Sequence, residues 1–327
     1  MRFATYAQDG ATANDRPARA GVVSDAGIHP LPEDVTVLGL VQAGLTAALA
    51  AGAHALGGPA VPLSAVWLRP PVEAPSVRDF VAFEEHVEGM AAGGGGSVPT
   101  EWYQAPTFYF TNPYALIGAH DDVAVPPGCQ QLDYELEVAV VVGRNGTSLS
   151  PEQAREHIFG YTVLNDWSAR DLQRREMGVR LGPAKGKDFA TTLGPWLVTA
   201  DELEPYRDAD GFLALDLRAS VNGEMTGQDL LSNMGWPFEE LISYASRGAE
   251  VRAGDVLGSG TCGNGGCLAE LWGRNGKTDP PPLCPGDVVE LAVEGIGTVR
   301  NRVVEGLTLP PVREARTRSV PRLRKRA

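Results

Sequence analysis

Asp133-Tyr134-Glu135-Leu136-Glu137-Val138-Ala139-Val140-Val141-Val142 runs two acids, one residue apart, into an unbroken stretch of β-forming residues. Successive side chains of a strand leave on opposite faces, so Glu135 and Glu137 share one face while Leu136 and Val138 take the other. Like charges side by side at the mouth of a buried strand repel, and burying either one without a partner is strongly unfavourable. One reading is an edge strand whose acids face water. The other is a bound dication, for which oxygen-only ligands select hard Mg²⁺, Ca²⁺ or Mn²⁺ over zinc.

Working outward, the chain has 327 residues, enough for one large domain with a small companion. A hydrophobic share of 43% with 39 Gly and 25 Pro describes a soluble, loop-rich globular protein. The net charge of −13 argues against nucleic acid as a partner, because phosphate binding needs a basic face. Only the C-terminal end is basic, through Arg313, Arg316, Arg318, Arg322, Arg324, Lys325 and Arg326, and it reads as a solvated tail or an interaction tail. Cys129, Cys262, Cys267 and Cys284 lack C-x-x-C spacing and disulfide-scaffold density, so free thiols in a reducing cytoplasm are expected. Residues 35–56 are alanine-rich and read as one amphipathic helix packed on the domain, neither signal peptide nor membrane span.

The expected organisation is a small N-terminal α+β unit over residues 1–72, a catalytic domain over 73–310 and a basic, disordered tail over 311–327. Prolines 59, 62, 70, 71 and 75 punctuate the first boundary. Strands are predicted over 2–6, 20–23, 135–142, 159–165, 196–199, 213–221, 288–293 and 297–304, giving a mixed α+β fold that is mainly β. One helix is predicted to start at Ser150-Pro151-Glu152-Gln153, with Ser as N-cap and Pro in the first turn, and another covers 237–244. Glycine-rich stretches at 91–97 and 260–266 are predicted to be mobile.

Downstream of the paired glutamates stand Asn165-Asp166-Trp167-Ser168-Ala169-Arg170-Asp171-Leu172-Gln173, then Gly186-Lys187-Asp188-Phe189-Ala190-Thr191-Thr192-Leu193-Gly194-Pro195-Trp196, then Gly260-Thr261 followed by Glu270-Leu271. In this order the four motifs resemble the fumarylacetoacetate hydrolase (fumarylacetoacetase-like) family, over roughly residues 75–305. The resemblance implies a β-roll catalytic domain and a metal site of Glu135, Glu137 and Asp166. The D-x(6)-H spacing from Asp79 to His86 adds, on the same analogy, a fourth ligand and a catalytic base. Glu270 would orient His86, in keeping with the way a carboxylate aligns and strengthens an imidazole base. His120, beside Asp121 and Asp122, competes for the base but has no matching motif around it. Lys187, Arg170 and Gln173 are implied as holders of an oxyanion or carboxylate, Arg by its fork of donors, and Thr261 as a binder of a substrate carboxylate.

The implied activity is metal-dependent hydrolysis of a carbon–carbon bond in a β-dicarbonyl or acylpyruvate-type 2-oxo acid, with the His–Glu pair activating water. The implied cofactor is Mg²⁺, or Ca²⁺ or Mn²⁺, the implied assembly a homodimer, and the expected partner a small-molecule substrate, with neither nucleic acid nor membrane. The stretch 93–96, close after His86, is read as part of a lid. Where the fumarylacetoacetase type carries two tyrosines, this chain has Val81 and Met177, which puts fumarylacetoacetate itself in question. Dehydration of 2-keto-3-deoxy sugar acids, or isomerisation or decarboxylation of a 2-oxo acid, on the same metal site is the alternative, because a fold does not select among reactions. A third reading is a non-catalytic, metal-stabilised scaffold with a recruiting tail.

Overall fold

The computed structural model describes residues 1–8, 18–92 and 95–317. Its main sheet contains β1 (Arg2–Gln8), β2 (Arg19–Ser24), β3 (Gly27–Pro30), β4 (Val77–Phe80), β5 (Phe108–Thr111), β6 (Leu136–Val142), β7 (Ile158–Asp166), β8 (Thr191–Thr199) and β9 (Val256–Gly258), in the spatial order β3-β2-β1-β8-β7-β6-β9-β4-β5. A second sheet orders Glu224–Leu230, Asp216–Val221, Val288–Val293 and Gly297–Val304. The architecture is α+β and mainly strand, as its composition of β-branched runs between turns predicts.

β6 lies inside the sheet, antiparallel to β7 on one side and to β9 on the other, so it is no edge strand. Its two faces feed two cores. Leu136, Val138, Val140 and Val142 pack in one cluster with Leu217, Leu291 and Val299 of the second sheet. Ala139 and Val141 pack in another with Phe3, Val22 and Val41 from the N-terminal part. Buried on both faces, the strand reads as a continuous apolar run, and the two glutamates at its head are the exception that marks a site.

β1 pairs with β8 through Arg2↔Val198 and Phe3↔Leu197, so the first strands extend the same sheet. Residues 35–56 form two helices rather than one, α1 (Val37–Ala43) and α2 (Leu45–Ala55). Gly44 separates them with φ 91 and ψ 160, a backbone conformation glycine adopts at no steric cost and a helix cannot contain. The helix predicted at Ser150 is Pro151–Arg155, closed by a capping box with Gln153, and 237–244 is Phe238–Ala245. The predicted strand at 196–199 is the end of the longer β8, which runs through Gly194 and Pro195.

Residues 260–266 are packed, not mobile. Cys262 N donates to Leu136 O at 3.0 Å, Leu136 N donates to Gly266 O at 2.9 Å, and only Asn264 of the segment is exposed. Its glycines let backbone approach backbone: a Cβ on Gly265 would stand 2.3 Å from Thr226 O. In the other glycine-rich stretch, Gly93 and Gly94 lie outside the described residues. Residues 311–317 are exposed without regular structure, and the remainder of the expected tail is also outside them. None of the four cysteines is disulfide-bonded. Among the described residues no helix is long and apolar enough to cross a membrane.

Candidate active site

Four carboxylates from the ends of neighbouring strands converge. Asp79 is on β4, Glu135 precedes β6 and Glu137 is in it, and Asp166 ends β7. One oxygen from each lies within 4.8 Å of the others, and all four residues are buried. Sheet register explains the meeting. β9 separates β6 from β4, with Gly258 opposite both Ala139 and Asp79. A Cβ at Gly258 would sit 2.4 Å from Asp79 Oδ1 and 2.8 Å from Glu137 Oε2, so the absent side chain is the room the carboxylates occupy.

The positive charge facing this cluster is limited. Lys187 Nζ donates to Glu135 Oε2 at 2.5 Å and to Asp166 Oδ2 at 2.6 Å. Arg170 Nη2 lies 2.7 Å from Glu135 Oε1 and 2.7 Å from Asp133 Oδ2. Tyr109 OH donates to Asp166 Oδ2 at 2.5 Å. Burial, then the neighbouring Asp166, push Asp79 well above the ordinary carboxyl range. Burial, then Asp79, do the same to Glu137. Burial lifts Asp166 to about 6 against the pull of Lys187. At Glu135 burial also acts upward, but Lys187 and Arg170 outweigh it and hold this carboxylate below its usual range.

Among the described residues, Asp79 Oδ1, Glu137 Oε1 and Asp166 Oδ1 are buried with no hydrogen-bond partner. Orphaned acceptors of this kind are costly unless something positive meets them. Three such oxygens on a set made wholly of carboxylates fit a hard dication such as Mg²⁺, Ca²⁺ or Mn²⁺.

Beside the carboxylates stands the predicted base. His86 is on α3 (Glu84–Ala92), buried, with Nδ1 3.8 Å from Glu270 Oε2. Glu270 belongs to α5, here Leu268–Asn275, once α4 is assigned to Arg170–Gly178. Its Oε1 accepts from Arg274 Nε at 2.9 Å, and Arg274 Nη2 donates across to Glu85 O of α3 at 3.0 Å. The two helices approach closely because Gly89 has no side chain, since a Cβ there would be 2.3 Å from Glu270 Cγ.

Gln173 Oε1 accepts from Arg170 Nη1 at 3.2 Å. His86, Asp79, Glu135, Arg170, Gln173, Lys187 and Thr261 line one cavity of about 390 Å³. Glu137 and Asp166 belong to the carboxylate cluster beneath it, and Glu270 stands behind His86. His120 is exposed in a turn, apart from this cavity.

Sequence reasoning missed three contributors. Asp133 is fully buried and holds Arg170. Tyr109 binds Asp166 from β5. Cys267 caps α5 and places Sγ 3.9 Å from His86 Nδ1. Asp133 was in plain sight as a third acid ahead of the E-x-E pair. The other two carry no local signal, because only the tertiary fold brings them to the cavity.

The chain matches the family model described as Fumarylacetoacetate (FAA) hydrolase C-terminal over residues 76–304. It is similar to Oxaloacetate tautomerase YisK of Bacillus subtilis (strain 168), with 32% identity over 250 residues, 74% of each chain. It is also similar to human Oxaloacetate tautomerase FAHD2A, mitochondrial, with 31% identity over 288 residues, 87% of this chain and 84% of the other. Among solved structures it resembles the fumarylacetoacetate hydrolase (EaFAH) from psychrophilic Exiguobacterium antarcticum, with a TM-score of 0.68 and 27% identity over 93% of this chain and 99% of that one.

Proposed function

As the chain belongs to the fumarylacetoacetate hydrolase family, whose members are enzymes, we propose that it hydrolyses a carbon–carbon bond of a β-dicarbonyl or acylpyruvate-type 2-oxo acid with the help of a dication. The observation that carries this reading is the buried His86, 3.8 Å from Glu270, on the wall of the cavity that Asp79 and Glu135 of the carboxylate cluster also line. A base held by an acid beside a polar cavity is the arrangement that activates water.

Asp79, Glu135, Glu137 and Asp166 would hold the dication, which would supply Lewis acidity toward a dicarbonyl. His86, oriented by Glu270, takes a proton from water, and the resulting hydroxide adds to the acyl carbonyl. Arg170, Gln173 and Lys187, which line the cavity, face the oxygen that gains charge. The bond from that carbon to the adjoining methylene then breaks. Its electron pair takes up a proton at the methylene carbon, so one dicarbonyl acid and one water yield two carboxylic acids. Thr261, buried on the cavity wall, offers a hydroxyl to the substrate carboxylate.

The same base and carboxylate pocket also suits proton transfer between carbon and oxygen of a 2-oxo acid. The oxaloacetate tautomerases among the relatives favour this as the second reading. Turnover of acylpyruvates, fumarylacetoacetate and oxaloacetate with Mg²⁺, and again with EDTA, separates the two. Hydrolysis yields two acids, whereas tautomerisation leaves the mass unchanged. A rate indifferent to chelation overturns the dication, and failure to cleave any dicarbonyl overturns the hydrolase.

A further inference from the structure

We infer that the acyl end of the substrate is uncharged and apolar, and that Met90, Phe108 and Met177 select it; this rests on the hydrolase reading above. The cavity is chemically divided. Its polar lining includes the buried Asp79, Glu135, His86, Arg170, Lys187 and Thr261, and its apolar lining Phe80, Val81, Met90, Phe108, Met177 and Pro183.

The first ground is charge. Among the described residues lining the cavity, the standing cations are Arg170 and Lys187. Both are committed. Arg170 is held by Asp133 and Glu135, and Lys187 by Glu135 and Asp166. Whatever donor capacity remains must serve the 2-oxo acid end and the oxygen that gains charge. A second carboxylate at the acyl end would be desolvated against methionine and phenylalanine with no partner, which is strongly unfavourable.

The second ground is the outer wall. Phe108 packs against Phe80 with centroids 5.0 Å apart and rings tilted by 53°, and meets Phe110 edge-on at 5.6 Å, an aromatic group on the cavity wall. Of the other lining residues, Met90 is 39% and Met177 57% exposed. Large apolar side chains left facing water at the mouth of a cavity gain by being covered. Methionine, unbranched and flexible, adapts to acyl groups of different shape.

The test uses the full chain with Mg²⁺ and measures kcat/KM for acetylpyruvate, hexanoylpyruvate, benzoylpyruvate and a chain-matched 2,4-dioxo acid whose acyl chain ends in a carboxylate. We expect kcat/KM to rise roughly fourfold for each methylene added to the acyl chain. The carboxylate-ended acid should fall at least roughly 100-fold below its uncharged counterpart. Met177→Arg should shrink or reverse that gap. A flat series, or preference for the charged acyl end, overturns the inference. Calorimetric titration of the same acids reads the affinity order even where no bond is cleaved. Absence of cleavage with the expected affinity order therefore overturns the hydrolase reading alone, and a flat affinity order overturns the apolar subsite.

Discussion

Asp133 grips Arg170 through two bonds, receiving Nε at 2.8 Å and standing 2.7 Å from Nη2, and the same carboxylate accepts the backbone amides of Leu268 and Ala269 at 2.8 and 3.0 Å. One fully buried acid thus ties the cavity-lining guanidinium to the N-terminus of α5, the helix that carries Glu270. A carboxylate at a helix N-terminus also meets the positive end of the helix dipole.

Asp133→Asn keeps an acceptor for the amides but removes the charge that answers Arg170. Arg170 would keep only Glu135 as a carboxylate partner, so a loss of about 3 kcal/mol, the low end for a broken buried pair, is expected. Urea unfolding should register it. kcat/KM should fall with it by roughly a hundredfold or more, as Arg170 and α5 lose their common anchor.

Gly258→Ala should damage the dication site while sparing the fold. Its Cβ would stand 2.4 Å from Asp79 Oδ1 and 2.8 Å from Glu137 Oε2, and both carboxylates would have to turn away. Calorimetric titration with Mn²⁺ should show affinity lowered at least roughly tenfold. Circular dichroism should be unchanged.

Metal and pH should be linked. Asp79, Glu137 and Asp166 hold protons in the folded, metal-free protein that the unfolded chain releases near its ordinary carboxyl range, so stability without metal should fall as pH rises through about 6. For Asp166, going from its ordinary 3.8 to about 6 at roughly 1.4 kcal/mol per pH unit makes this of order 3 kcal/mol. Mg²⁺ should restore the loss by replacing those protons, and its own affinity should rise with pH over the same range. Urea midpoints at about pH 4.5 and pH 8, with EDTA and with Mg²⁺, check the sign. A metal-free protein that gains stability toward pH 8 would contradict it.

Glu270→Gln separates catalysis from metal binding. The amide still fills the space beside Gly89 but offers His86 no negative charge. kcat should drop roughly 10²–10⁴-fold with little change in KM, and Mn²⁺ affinity should stay within about twofold, since Glu270 lies outside the carboxylate cluster. Unchanged kcat would remove the pair from the mechanism.

The sequence by itself determined the β-rich class and the same-face pair Glu135 and Glu137, because alternation along a strand is a local fact, while Asp79 and Asp166 were added to the carboxylate set by the family resemblance. Motif order also named His86, Glu270, Arg170, Gln173, Lys187 and Thr261 before any coordinates. What it could not determine was non-local. Asp79 and Asp166 reach Glu137 only through the strand order β7-β6-β9-β4, and Gly258 matters only because β9 lies between β6 and β4. Residues 260–266 read as mobile because glycine is permissive, yet they pack where backbone must approach backbone, as at Gly265 against Thr226. Likewise Tyr109, Asp133 and Cys267 acquire their parts from neighbours 57, 37 and 181 positions away. Local sequence sets what a side chain can do. Which partner it does it with was decided by sheet register and helix packing, whose stabilisation is summed over the whole core and written in no single segment.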